Sequence, residues 1–156
     1  MKIAIVSDHR GFKLKNEITT QMYDVGDAVE WVDLGPTYYE PTDDYTDYTF
    51  KLVDYLQAHT EVTRGVLICG SGVGMSIVAN KFVGIRCAVG INSQQVVDAR
   101  KEDDINLLAI ASDFFNILHA RTMVENFLKT PFDNLPAHAR RLDKIRQLEE
   151  SSENGL

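Results

Sequence analysis

A chain of 156 residues, 44% hydrophobic and 25% charged, is of the size and composition of one ordinary soluble globular domain. A net charge of -7 and a pI near 5.0 argue against a general binder of nucleic acid or of anionic membranes. The two cysteines, Cys69 and Cys87, form neither a disulfide framework nor a zinc-ligand spacing, no apolar run approaches the roughly 18 residues that span a bilayer, and MKIAIVSDH at the start carries no signal-peptide core, so a cytoplasmic protein without a bound metal is expected.

Lys2 to Ser7, rich in Ile and Val, predicts a strand buried on both faces. Asp8-His9-Arg10-Gly11 breaks it, and Phe12, Leu14, Ile18 and Met22 then recur at helical spacing, ending before Gly26. Ala28 to Leu34 predicts a second strand, closed by Gly35-Pro36. The acidic, aromatic segment Thr37 to Asp47 contains Pro41 and predicts a surface loop, with a helix starting around Tyr45 and carrying Phe50, Val53 and Leu56 on one face.

Val66-Leu67-Ile68 predicts a third, fully buried strand that ends in Cys69 and opens into glycines at alternate positions, Gly70, Gly72 and Gly74. A helix runs from Gly74 to about Phe82, a fourth strand from Ile85 to Val89, a helix from Ser93 to about Asp103 and a fifth strand from Leu107 to Ala111. Two helices follow, about Asn116 to Leu128 and about Pro136 to Glu150, the second basic on one side and carrying Leu142, Ile145 and Leu148. Residues 1–150 are expected to form a single domain, and 151–156, SSENGL, a disordered tail.

Strands alternating with helices through short turns predict a parallel sheet covered on both faces. The common order for five strands is 2-1-3-4-5, with its switch point between strands 1 and 3. The carboxyl ends of those strands carry Asp8-His9 and Cys69-Gly70-Ser71-Gly72, so two polar clusters converge on one crevice. The last helix has no strand left to pack on, and its apolar stripe is expected to dock on a second subunit.

Strand, glycine turn and helix start form a geometry in which backbone N–H groups can hold an anion. The alternative, tight helix–strand packing without a ligand, does not need three alternating glycines. The spacing is neither that of a dinucleotide fingerprint nor that of a P-loop. Cys69 at a helix N-terminus is expected to have a lowered pKa and raised reactivity, whereas Cys87 reads as core. Asp8-His9 reads either as a helix cap with an exposed imidazole or as an acid–base pair. His138, Arg140 and Arg141 lie within four residues and suit a phosphate clamp, with Arg10 a further candidate. Thiol, oxyanion cradle, imidazole, carboxylate and cations together suit proton abstraction beside a carbonyl, which forms an enediolate.

SDHRGFKLK, LICGSGVGMSIVANKFVGIRCA and HARRLDKI resemble ribose-5-phosphate isomerase B and the galactose-6-phosphate isomerase subunits, over Lys2 to about Ile145. The resemblance implies a three-layer Rossmann or flavodoxin-like fold and a homodimer (or a tetramer) whose C-terminal segments complete each other's sites. It also implies interconversion of ribose 5-phosphate and ribulose 5-phosphate, or of a related sugar, through a cis-enediolate without a cofactor. Cys69 would be the base, with Ser71 near it and the amides of Gly70, Gly72, Val73 and Gly74 holding the enediolate. Asp8, His9, Tyr45 and Asp103 would contact the sugar, and His138 and Arg141, with Arg140 and Arg10 as further cations, its phosphate. Three positions depart from the pattern. Glu102 replaces a His that assists ring opening, Asp113 replaces a phosphate-binding Arg, and Ala137 replaces another Arg. These departures leave a catalytically altered sugar-phosphate binder, or one subunit of a hetero-oligomeric isomerase, as the alternative reading.

Overall fold

The computed structural model describes residues 1–22 and 29–153. Its strands are β1 (Lys2–Ser7), β2 (Glu30–Asp33), β3 (Gly65–Cys69), β4 (Cys87–Val89) and β5 (Leu107–Ala111). Its helices are α1 (Phe12–Gln21), α2 (Tyr45–Ala58), α3 (Val73–Ala79), α4 (Ser93–Asp103), α5 (Ile117–Lys129) and α6 (Pro136–Glu153). Gly26 and Ala28, the expected bounds of the first helix and the second strand, lie outside the described residues.

The sheet is parallel throughout, but its order is β2-β1-β3-β5-β4, not the expected 2-1-3-4-5. The physical reason lies in burial. All five residues of β5 are buried, and it pairs along its length with β3, Gly65 opposite Leu107 and Cys69 opposite Ala111. β4 has three residues, each half-buried, and takes the edge. Its expected start at Ile85 is two residues too early.

The two faces bury different sets. Ile3, Ile5, Val66, Ile68, Leu108 and Ile110 pack with Leu14 and Ile18 of α1, Val96 of α4, and Met123 and Phe127 of α5. Ala4, Val6, Leu67, Leu107 and Ala109 pack with Leu52 and Val53 of α2 and Met75 and Ala79 of α3. This gives three layers. Connections through α2 and α3 run toward the β4 edge, and those through α1 and α4 run back toward β2. Right-handed crossovers require that change of face at each reversal.

α3 stops three residues short of the expected Phe82 because Asn80 turns its side chain to β4. Its amide donates to Cys87 O and its carbonyl oxygen accepts from Cys87 N–H, both at 2.8 Å. α6 runs to Glu153, past the expected Glu150, so 151–153 continue the helix rather than beginning a tail. Residues 154–156 lie outside the described residues. α6 lies against α4 with Ile145 and Leu148 of its apolar stripe exposed. No helix of the described residues is long and apolar enough to cross a membrane.

Candidate active site

The strand order places the carboxyl end of β3 between those of β1 and β5. The chain leaves β3 toward one face of the sheet, and leaves β1 and β5 toward the other. Cys69 therefore sits at a switch point of the sheet, where ligands of such sheets bind.

At the end of β1 the chain folds tightly. Asp8 N–H donates to Ile68 O at 3.1 Å, Asp8 Oδ1 accepts from Gly11 N–H at 2.9 Å, and a Cβ on Gly11 would overlap the Ile68 carbonyl. Asp8 is buried, and burial raises its pKa against the opposing pull of the Gly11 N–H and of His9. His9 is held by Asp43, whose Oδ1 accepts from the His9 N–H at 2.9 Å and lies 2.7 Å from its Nδ1. The Tyr39 ring stands edge-on to His9, with centroids 6.4 Å apart.

The turn after β3 uses its glycines for three purposes. Gly72 takes a left-handed φ of 74° that opens α3. A Cβ on Gly70 would overlap the Arg10 guanidinium, and one on Gly74 would come within 2.7 Å of the Tyr45 ring. Cys69 is 4% exposed, and its Sγ accepts from Gly72 N–H at 3.1 Å. Contrary to expectation, its pKa is raised. Burial is the largest cause and the charge of Asp8 adds to it, outweighing the N–H groups of Gly72, Met75 and Ser71 that favour the thiolate. Ser71 is exposed, and its Oγ accepts from Val73 N–H at 3.3 Å. Cys87, half-buried on the α2/α3 face, has its thiol pushed up to about 12 by burial.

The end of β5 closes the other side of the crevice. Ser112 N–H donates to Cys69 O at 2.9 Å, and Asp113 N–H to Gly70 O at 3.1 Å. The Ser112 hydroxyl lies 3.0 Å from Arg10 O and 3.1 Å from Cys69 O as donor. Above this the Asp113 carboxylate pairs with the Arg10 guanidinium.

The remaining expected residues are elsewhere. Glu102 and Asp103 end α4, which starts after the carboxyl end of β4 and returns to the amino edge of the sheet. Eleven residues at 1.5 Å each separate them by about 16 Å from the crevice side. Within one chain the structure thus does not bring Glu102 or Asp103 to Cys69. Glu102 forms a second cluster with His138 of α6. His138 Nε2 lies 4.0 Å from Glu102 and its Nδ1 2.8 Å from Asp133, while Arg140 and Arg141 are exposed beside it. The Leu135 N–H, and next His138, hold the Asp133 carboxyl below the usual range.

Two functional groupings were missed in the sequence. Asp43 reaches His9 across 34 positions, and its only sequence signal is membership of an acidic loop. Lys15, fully buried, bonds both oxygens of Asp33 at 2.6 and 2.7 Å and the Pro36 carbonyl at 2.9 Å, anchoring the start of that same loop.

The family model for ribose/galactose isomerase matches residues 3–145. The chain belongs to that family. The isomerase relatives resemble it along their whole length. A putative sugar phosphate isomerase of Bacillus subtilis, YwlF, is 38% identical over 152 residues, covering 97% of this chain and 99% of that one. Among solved structures, the type B ribose 5-phosphate isomerase of Trypanosoma cruzi superposes with a TM-score of 0.90 at 34% identity, covering 97% of each chain. Ribose-5-phosphate isomerase B of Mycoplasma genitalium, solved with bound ribulose-5-phosphate, gives 0.84 at 36% identity, covering 96% of each. Membership in the isomerase family makes this chain an isomerase, with Cys69 and its glycine turn at the switch point of the sheet.

Proposed function

We propose that the chain interconverts an aldose phosphate and a ketose phosphate of the ribose 5-phosphate and ribulose 5-phosphate type through a cis-enediolate. The observation that carries this reading is Cys69 held at the carboxyl end of β3 by backbone N–H groups, within reach of the charge of Asp8. Cys69 as thiolate takes the proton from C2 of the aldose and returns it to C1. Ser71 assists the accompanying proton transfer between the two oxygens. Overall the step is redox-neutral and calls for no cofactor. The amides of Gly70, Gly72, Val73 and Gly74 stabilise the enediolate, one such donor being worth about 3 kcal/mol of barrier. Asp8, His9 and Tyr45 orient the sugar.

The second cluster serves the same reaction from a partner copy. Glu102 accepts a proton in ring opening, Asp103 contacts the sugar, and His138 and Arg141, with Arg140, reach the phosphate. Support for a homodimer comes from the separation of the two clusters within one chain and from apolar side chains left in solvent near the turn, Val73 at 50% and Ile77 at 56% exposure. The exposed Ile145 and Leu148 of α6 fit the same docking. A catalytically altered binder, or one half of a hetero-oligomer, is the second reading, favoured by the neutralisation of Arg10 by Asp113.

A coupled assay of ribose 5-phosphate to ribulose 5-phosphate, with the purified chain alone, separates the two. Turnover on the scale of 1 to 1,000 per second supports the isomerase. Binding of the sugar phosphate without turnover supports the second reading.

A further inference from the structure

We propose that Arg10 and Asp113 form a specificity device at the lip of the site. Arg10 is the same-chain ligand for the anionic end of the substrate, and Asp113 competes with that anion for the guanidinium. The consequence is weak discrimination between a phosphorylated sugar and a neutral one. The inference rests on the isomerase reading for its substrate, but its physical basis is the pair itself.

Three features place the pair in the site. The Arg10 guanidinium lies on Gly70, so close that a Cβ there would overlap Cζ, Nε and Nη1. Gly70 is the first residue after Cys69, so the cation sits over the turn that holds the reacting thiol. Asp113 comes from the loop after β5, and its N–H to Gly70 O at 3.1 Å stitches that loop to the same residue. Ser112 bonds the Arg10 carbonyl at 3.0 Å, which holds the Arg10 backbone while its side chain stays in solvent.

The exposures define how the pair works. The Arg10 side chain is 53% exposed and that of Asp113 37%, with Asp113 taking Nη2. Such a pair holds weakly and can be exchanged for an incoming anion. A phosphate dianion entering the crevice meets a guanidinium already neutralised and a carboxylate that repels it. A neutral hydroxymethyl end meets no such repulsion, and can bond donor and acceptor together. Replacing the carboxylate by an amide of the same shape keeps a hydrogen bond to Arg10 and removes the repulsion. One unit charge at this range and exposure is worth about tenfold in the affinity of a dianion.

The test compares the wild type, Asp113→Asn, Arg10→Ala and the double variant at pH 7.5. It measures kcat and KM for ribose 5-phosphate, the inhibition constant of free ribose, and the dissociation constant of inorganic phosphate by calorimetry. Asp113→Asn is expected to lower KM for ribose 5-phosphate and the phosphate dissociation constant by about tenfold, far more than it moves the ribose constant. Arg10→Ala is expected to raise both by about tenfold or more, and the double variant to recover part of that loss, because it also removes the repulsion between Asp113 and the anion. Phosphate affinity that is unchanged or weakened in Asp113→Asn, or retained in Arg10→Ala, overturns the proposal. Wild type that turns over no sugar defeats the isomerase reading instead, and the phosphate constants still decide the role of the pair.

Discussion

One oxygen of Asp43 grips His9 at two points, accepting its backbone N–H at 2.9 Å and lying 2.7 Å from its ring Nδ1. The Asp43 side chain is 7% exposed, so the grip is made largely out of water, where a hydrogen bond to a charged group counts for more. It fixes the ring plane and, with Nδ1–H donating, leaves Nε2 as the available acceptor.

Asp43→Ala therefore lowers kcat/KM by about ten- to a hundredfold, the worth of one charge-assisted hydrogen bond. Asp43→Asn, which keeps an acceptor oxygen, loses less. Steady-state kinetics of both variants check this, with thermal melts to confirm that each is folded. Equal losses in the two variants would show that the charge, not the grip, matters.

Asp43 also marks where reading the sequence ran out. The apolar runs of β1, β3 and β5 are short and unambiguous, so the parallel sheet and the convergence of Asp8-His9 with Cys69 could be inferred from them. Which of Glu40, Asp43, Asp44 and Asp47 folds back onto His9 carries no periodic signal. The exchange of β4 and β5 was hidden for a similar reason. Both are brief apolar strands, and only the completeness of burial decides which is central. The position of Glu102 and Asp103 was derivable. A helix following a parallel strand runs back along it, so residues at its far end lie at the opposite edge of the sheet. The helix start alone predicts a lowered pKa for Cys69, and burial at the end of β3 outweighs it.

The Cys69 thiol has a definite pH signature. Its pKa lies above the ordinary 9.0, with burial as the main cause. The thiolate is the reactive form, so its fraction rises about tenfold per pH unit below that pKa. Alkylation of the free protein by iodoacetamide is expected to be slow at pH 7 and still accelerating above pH 9. A plateau reached by pH 8 would contradict this.

Asp8 trades stability for function. Burial raises its folded pKa above 3.8, so the folded chain holds that proton more tightly than the unfolded one. The stability linked to it is complete below the unfolded pKa and is lost as pH rises through the folded pKa, leaving a penalty at neutral pH. Asp8→Asn keeps an oxygen for the Gly11 N–H and removes the charge. Its Tm at pH 7.5 is expected to rise while isomerisation falls. A lowered Tm would refute the linkage.

The glycines of the turn separate by kind of damage. Gly72→Ala forces a side chain onto a φ of 74° and costs about 1–2 kcal/mol of stability, read in urea unfolding. Gly74→Ala meets a Tyr45 ring 2.7 Å away and displaces it, so its loss falls mainly on KM. Identical effects of the two substitutions would mean that Tyr45 does not touch the sugar.

Isomerisation of ribose 5-phosphate by Cys69→Ala, with circular dichroism and Tm as controls for folding, goes straight to the chemistry. Loss of a proton-transferring base is worth roughly a hundred- to ten-thousand-fold, and kcat of a folded Cys69→Ala is expected to fall by that much or more. A folded variant that keeps its kcat within tenfold of wild type would take the proton transfer away from Cys69.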